Sequence, residues 1–535
     1  MNYINVTEVP DFANIEREGE WSTVFPQNDR MILEDLQVSF IQESAGLSVH
    51  VTAERSLSRI VLRWRKEIGQ HVRILGDHWE RGYGDLAFQP ITPERELPWY
   101  FLYSDGLVCH GAGVLTGPSA FCHWRVDSTF ISLVLDLRCG GDGVLLNGRV
   151  LQAATIVSRQ GRPGESAFSA ACAFCRQMCA APLLPPGPVY GGNNWYFAYG
   201  KSSFDEILRD SRLVAELADG CPVRPYMVID MNWHSPYGDW HAVPHDPWTE
   251  DNPDFPDMAR LAREMKELGV RPGLWFRPLL TSCSLPKEWL LNAGRQIGTN
   301  AEGLILDPSL PEVLDLIGGY IRRFADWGYE LVKHDFTSYD IAGRWGFQKP
   351  GLTDSGWHFR DQSRTTAEIV LELYRTIERN RGDMLLIGCN TYSHLAAGLV
   401  HIQRTGDDTS GKQWERTRKM GINTLAFRMP QHRAFYASDA DCAAITPNVP
   451  WAQTRQWLDL VANSGTPLFV SMDPAAMGSE QKAAVTEAFR AASVPQAAAE
   501  PLDWEDCTCP ILWKIHGEQK KYCWTDTGKL EDLGL

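Results

Sequence analysis

The chain has 535 residues, with 51 Lys and Arg against 67 Asp and Glu, a formal charge of −16 and the wrong sign for a protein that tracks a phosphate backbone. Apolar residues make up 44% and charged residues 22%, interrupted by 45 Gly and 32 Pro, which excludes a disordered chain or a long coiled coil as the dominant state; no run of about eighteen apolar residues offers a membrane span. The opening MNYINVTEVPDF has no basic stretch leading into an apolar one, and 13 scattered cysteines suit reduced thiols, so the expectation is a cytoplasmic protein without nucleic-acid or membrane partners.

Up to about residue 180 the apolar residues recur with a period of two. Leu47, Val49 and Val51 form one such run, and Ile131, Leu133, Leu135 and Leu137 another. Glycine-rich turns, Gly140-Gly141-Asp142-Gly143 and Asn147-Gly148, separate the runs. This predicts an N-terminal antiparallel β-sandwich over residues 1–183. LPPGP (184–188) then reads as a linker.

Beyond the linker, short apolar runs alternate with amphipathic helices. The runs are VYGGNNWYF (189–197), PYMVIDMNW (225–233), RPGLWFRPLL (271–280), YELVKHDF (329–336), MLLIGCN (384–390), LVHIQRTGDD (399–408), FYASDADC (435–442) and TPLFVSM (466–472). Ser203 and Glu206 predict a capping box at the head of one helix. Pro256 opens a second, ending at Gly269, and Pro311 a third, ending at Gly328. Eight β segments alternating with helices over residues 184–475 match the arithmetic of a (β/α)8 barrel, with active residues at the C-terminal strand ends. A doubly wound sheet is the rival, weakened because no glycine-rich phosphate loop follows an early strand. Residues 476–535 are expected to form a small C-terminal β element.

Carboxylates fall at the ends of four predicted strands: Asp230, Asp335, the pair Asp407 and Asp408, and the pair Asp439 and Asp441. Lys333, Asn390 and Arg404 stand among them. Taken singly, each suits a solvated loop. Several on one rim cost free energy unless a substrate or a shared proton uses them. The 20 Trp fit either a large core with domain interfaces or a protein that stacks indoles on pyranose rings. Paired carboxylates with Trp platforms suit glycoside hydrolysis, in which one attacks or guides water and the other protonates the leaving oxygen.

Five stretches in order carry a resemblance: Gly238-Asp239-Trp240, FPDMARLAREMKELGVRPGLWFRP (255–278), Lys333-His334-Asp335, Arg404-Thr405-Gly406-Asp407-Asp408 and SGTPLFVS (464–471). Together they resemble the barrel of glycoside hydrolase clan D, the retaining α-galactosidases and α-N-acetylgalactosaminidases of families 27 and 36. The sandwich resembles the N-terminal domain of family 36. The resemblance implies Asp335 as nucleophile, Lys333 as a ligand of sugar hydroxyls, and an acid/base on the sixth strand. Aligned on Arg404 the acid/base is Asp408; aligned on a Gly-Asp form it is Asp407. It further implies Asp439 and Asp441 as sugar-holding residues, Cys389 and Asn390 beside the 2-position, and Asp230 as a glycone ligand, with Trp195, Trp233 and Trp275 lining the pocket. It also makes a homo-oligomer plausible. The second strand carries Asp230-Met231 where the clan usually has two adjacent Asp.

Other features have plainer readings. Cys172, Cys175 and Cys179 share one face of an apolar helix, a buried stripe rather than a metal set. His234, His241 and His245, interleaved with Trp233, Trp240 and Trp248, match no standard ligand spacing. LGDHWERGYGDL (75–86) is rich in charge and aromatics for a β turn; an interdomain contact is the expectation, an extension over the barrel mouth the alternative. No cofactor or metal is expected. The sequence reading is a retaining exo-glycosidase for terminal α-linked galactose-type residues. Its alternatives are an α-N-acetylgalactosaminidase, a transglycosylase, a non-catalytic sugar-binding relative and a metallohydrolase.

Overall fold

The period-two runs of the first third form strands whose apolar faces meet. A computed structural model describes residues 3–69, 71–234, 252–281, 285–291, 304–348 and 351–525. In it a six-stranded and an eight-stranded antiparallel sheet form the N-terminal unit. Phe130–Asp136 lies between Arg59–Arg65 and Phe121–Val126, with Leu133 opposite Leu62. Leu47–Thr52 pairs with Leu36–Gln42 and Leu151–Arg159. Val49, Val51, Leu133 and Leu135 are fully buried, as are Trp64, Trp99 and Trp124. Alternation of this kind closes a sandwich because one face of each sheet must leave water.

The helix Ala167–Met178 follows, with Ser166 capping the Ser169 amide. Its Phe174 lies over Gly111, where a Cβ would come within 2.5 Å of the ring, so only glycine permits this approach. Cys175 and Cys179 are buried along this segment.

Eight strand positions make the barrel: β1 (Tyr190–Asn193), β2 (Tyr226–Ile229), β3 (Arg271–Phe276), β4 (Leu331–His334), β5 (Leu385–Gly388), β6 (Ile402–Arg404), β7 and β8 (Leu468–Met472). Neighbours pair in parallel from β1 to β7, and β8 pairs with β1. The β7 position is filled by two consecutive pieces, Ala437–Asp439 on β6 and Ala443–Ile445 on β8. Nearly every strand residue is buried, the pattern of parallel strands covered on both faces. The helices Phe204–Leu217, Met258–Glu267, Pro311–Asp326, Thr366–Asn380 and Trp451–Asn463 intervene. Ser479–Ala492 packs on the first and last of these, as the helix of an eighth repeat does. Beyond it, Glu500–Pro501, Leu512–Ile515 and Glu518–Lys521 form a small antiparallel sheet. No helix among the described residues is long and apolar enough to cross a membrane.

The capping box expected at Ser203 does not form. Glu206 accepts from the Ser203 hydroxyl, while the Phe204 amide is satisfied by the Asp254 carbonyl at 2.9 Å. Thr365 and Glu368 make a full capping box instead. Glu368 also takes Arg149 of the sandwich at 2.6 Å, joining the two units.

The stretch 75–86 makes the main junction. Gly82 bridges Gly406 in parallel fashion, its amide donating to the Thr405 carbonyl and its carbonyl accepting from Asp407, both at 2.9 Å. Asn423 clasps both backbone groups of Leu86. Arg428, buried, donates to Asp77 and to the carbonyls of Glu80 and Thr405. The expected interdomain contact is therefore present, and it is seated on the C-terminal end of β6. Removing one partner of a buried ion pair strands the other in low dielectric, at a cost of about 3–5 kcal/mol. Asp77→Ala is accordingly expected to lower the denaturant midpoint of unfolding strongly; a midpoint equal to wild type would show that the junction carries no stability.

Candidate active site

Chain direction in a parallel barrel brings all eight strand C-termini to one rim, so residues just past each strand share a mouth. Among the described residues, four non-glycines within three positions of a barrel strand's C-terminal end have left-handed backbones: Asn232 (φ 81°), Phe336 (φ 64°), Asn390 (φ 50°) and Asp441 (φ 72°). Such conformations cost about 1–3 kcal/mol each and persist only where surroundings enforce them. They follow β2, β4 and β5 and interrupt β7, four of the strands that carry polar candidates.

Asp335 follows β4 and is buried. The Trp275 indole donates to its Oδ2 at 2.9 Å. Its Oδ1 accepts from the Phe336 amide at 2.6 Å and from the side-chain amide of Asn390. Three neutral donors thus fix the carboxylate. Lys333, two residues earlier and on the same side of the strand, donates to Asp230 at 2.7 Å, and Asn193 donates to the same oxygen at 2.9 Å. Burial opposes the Lys333 charge, but Asp230 beside it holds the ammonium above its ordinary range. Burial, with Asp335 nearby, pushes the Cys389 thiol up, so it stays protonated.

On β6, Arg404 is buried and divides its Nη2 between Asp441 at 2.7 Å and Asp408 at 3.3 Å. The two candidates Asp407 and Asp408 differ sharply. Asp407 is held by Arg81 and Arg416, both at 2.8 Å, and accepts the Asp408 amide at 2.7 Å. Its side chain is 15% exposed and that of Asp408 38%. Burial alone would raise the Asp408 pKa; Arg404, then Arg81 and Lys333, pull it below the usual carboxylate range.

Asp441 accepts at Oδ2 from Thr409 at 2.8 and 3.0 Å and from the Tyr196 hydroxyl. Asp439 takes the Asp441 amide at 2.9 Å. Burial, reinforced by Asp441 and opposed by Arg404, pushes Asp439 up to about 6.

The structure thus gathers these candidates at one rim in three contact groups: Asp230 with Lys333; Asp335 with Trp275 and Asn390; and Arg404 with Cys389, Asp408 and Asp441, the last two holding Asp407 and Asp439. Trp195, half-buried, begins the short turn after β1, its amide on Asn193. Trp233 is placed elsewhere. It is 1% exposed and packs against Phe324 and Trp327 of the outer helix layer, because the chain turns at Asn232 and carries the indole behind β3. His234 stacks on Trp275 beneath the rim. Gly238-Asp239-Trp240, His241, His245 and Trp248 lie outside the described residues. Among the described residues there is no group of three or more His, Cys, Asp or Glu arranged to hold a metal.

Sequence reasoning missed Arg81, Asn193, Tyr196 and Thr409. Arg81 lies in the flagged 75–86 stretch, but its partner Asp407 is more than 300 residues away, and no local pattern encodes that pairing.

No protein-family model matches the chain. Solved structures do. The α-galactosidase TtGalA from Thermus thermophilus, in complex with p-nitrophenyl α-D-galactopyranoside, is similar with a TM-score of 0.61 at 18% identity, covering 96% of this chain and 99% of that one. The family 36 α-galactosidase AgaA from Geobacillus stearothermophilus gives 0.61 at 14% identity over 92% and 71%. The α-galactosidase from Lactobacillus brevis gives 0.58 at 14% over 89% and 69%. The chain therefore has the sandwich-plus-barrel fold of the family 36 α-galactosidases.

Proposed function

We propose that this protein is a retaining exo-glycosidase that removes terminal α-linked galactose-type residues. The observation that carries the reading is the contrast between two carboxylates on one rim. Asp335 is clamped by three donors after β4, and Asp408, past β6, is half-buried and, among the described residues, touched by a single guanidinium, Arg404. Lys333 lies close enough to influence both.

In this mechanism the Asp335 carboxylate attacks the anomeric carbon as the C1–O bond breaks, and Asp408 gives its proton to the leaving oxygen. Asp408 then takes a proton from water, which displaces Asp335 and restores the configuration. The oxocarbenium-like transition state is positive, so the acidic rim favours it over the neutral ground state. Asp230 and Lys333 offer an acceptor and a donor side by side, suited to neighbouring sugar hydroxyls. Asp407 is the poorer acid, because two guanidinium groups occupy it. A bound sugar excludes water, and the added burial raises the proton affinity of Asp408 during the first step. The likeness to galactosidase structures supports this substrate class, and the 12 cysteines described as free agree with a reducing, cytoplasmic setting.

Two experiments test the reading. Among 4-nitrophenyl α-galactoside, α-N-acetylgalactosaminide, α-glucoside and β-L-arabinopyranoside, the galactoside is expected to have the highest kcat/KM. The first sugar released should be the α-anomer by NMR, and Asp335→Asn should lose at least about 10³-fold in kcat. Wild-type binding of galactose without cleavage of any of these would leave a sugar-binding protein; loss of activity to a chelator, restored by zinc, would indicate a metallohydrolase. The second test is pH. Activity requires protonated Asp408, so kcat/KM falls as pH rises through its pKa. Arg81 lowers that pKa, and Arg81→Gln is expected to move the alkaline limb to higher pH while Arg81→Lys leaves it in place. A limb that stays put or moves down in Arg81→Gln would remove Asp408 from the acid role.

A further inference from the structure

Five aromatic side chains from two distant parts of the chain meet beside the carboxylates. Phe336, next to Asp335, lies 5.7 Å from Trp345 between ring centroids, and Tyr339 lies 4.5 Å from Trp345. The Arg81 guanidinium covers Trp345 at 4.2 Å and lies 5.7 Å from the Tyr83 ring. Tyr83 in turn meets Phe347 edge-on at 4.6 Å. The cluster therefore spans from the residue after the nucleophile to Arg81, the partner of Asp407.

It is built to be held in place. Glu80, buried, accepts from the Tyr83 hydroxyl and from the Gly346 amide at 2.9 Å. A Cβ at Gly346 would come within 2.9 Å of that carboxylate, so a larger residue there would have to displace the Glu80 side chain. One large apolar ring in this rigid setting faces water: Phe347 is 60% exposed.

We propose that Tyr83 and Phe347, backed by Trp345 and Arg81, form the subsite for the leaving half of the substrate, and that its occupant is a neutral pyranose. The assignment rests on the glycosidase reading above. In that reading the group that leaves is the one whose oxygen Asp408 protonates, and the cluster adjoins Asp408 through Asp407 and Arg81. The charges around it balance: the three guanidiniums of Arg81, Arg416 and Arg344 stand among the three carboxylates of Asp407, Asp354 and Glu80. The shelf thus offers ring faces and no net charge, which suits the apolar C–H face of a sugar better than a charged aglycone.

The experiment compares raffinose, whose leaving group begins with a pyranose, with α-D-galactosyl fluoride, whose leaving group has no sugar. Stacking of this kind is worth about 3- to 10-fold in affinity. Phe347→Ala is expected to lower the ratio of kcat/KM for raffinose to that for the fluoride by about that factor, mainly through KM, while Phe347→Trp keeps the ratio near wild type. An unchanged ratio in Phe347→Ala would overturn the subsite and leave the hydrolase reading intact. A wild-type protein inert towards the fluoride would overturn the hydrolase reading and the subsite with it.

Discussion

Negative charge gathered at one rim of a barrel has to be balanced, and the balancing is what organises this molecule. Asp230 has Lys333; Asp441 and Asp408 share Arg404; Asp407 has Arg81 and Arg416; Asp77 has Arg428. Asp335 differs. Its hydrogen bonds come from an indole, a backbone amide and a side-chain amide. Neutral donors orient a carboxylate without cancelling its charge, which suits the nucleophile role proposed for it. Where a cation is close and doubled, as at Asp407, the carboxylate is tied into the junction between the units.

The same economy explains the backbone strain. Asn232, Phe336, Asn390 and Asp441 turn left-handed where strands run out, and each turn redirects the chain within one or two residues. At Asp441 it splits β7 into two pieces and lets Thr409, Tyr196 and Arg404 converge on one oxygen. At Phe336 it aims a backbone amide at the neighbouring carboxylate. None of the four positions is glycine, so the surrounding contacts have to hold them.

The fold was legible because parallel strands buried on both faces spell continuous apolar runs, and all eight runs lie on barrel strands. Asp335 and Lys333 were legible as a short motif on one strand. The different surroundings of Asp407 and Asp408 were not, since they come from Arg81, which belongs to the N-terminal unit. Trp233 was misplaced for a related reason: sequence shows that an indole follows β2 but not that Phe324 and Trp327 wait behind it. The Ser203 capping signal failed locally, because the Ser203 hydroxyl donates to the Glu206 carboxylate and takes no helix amide. For Asp407 and Trp233 the missing information was a partner distant in sequence.

The clasp between residues 77–86 and the end of β6 has a corollary. Asp77 and Arg81 are contributed by the first unit, while Arg428 and Asp407 belong to the second. A barrel severed from its sandwich would inherit a buried guanidinium without its counterion and lose a wall of its own mouth. Separating the two units at the linker would therefore mean rebuilding the mouth as well as the hinge.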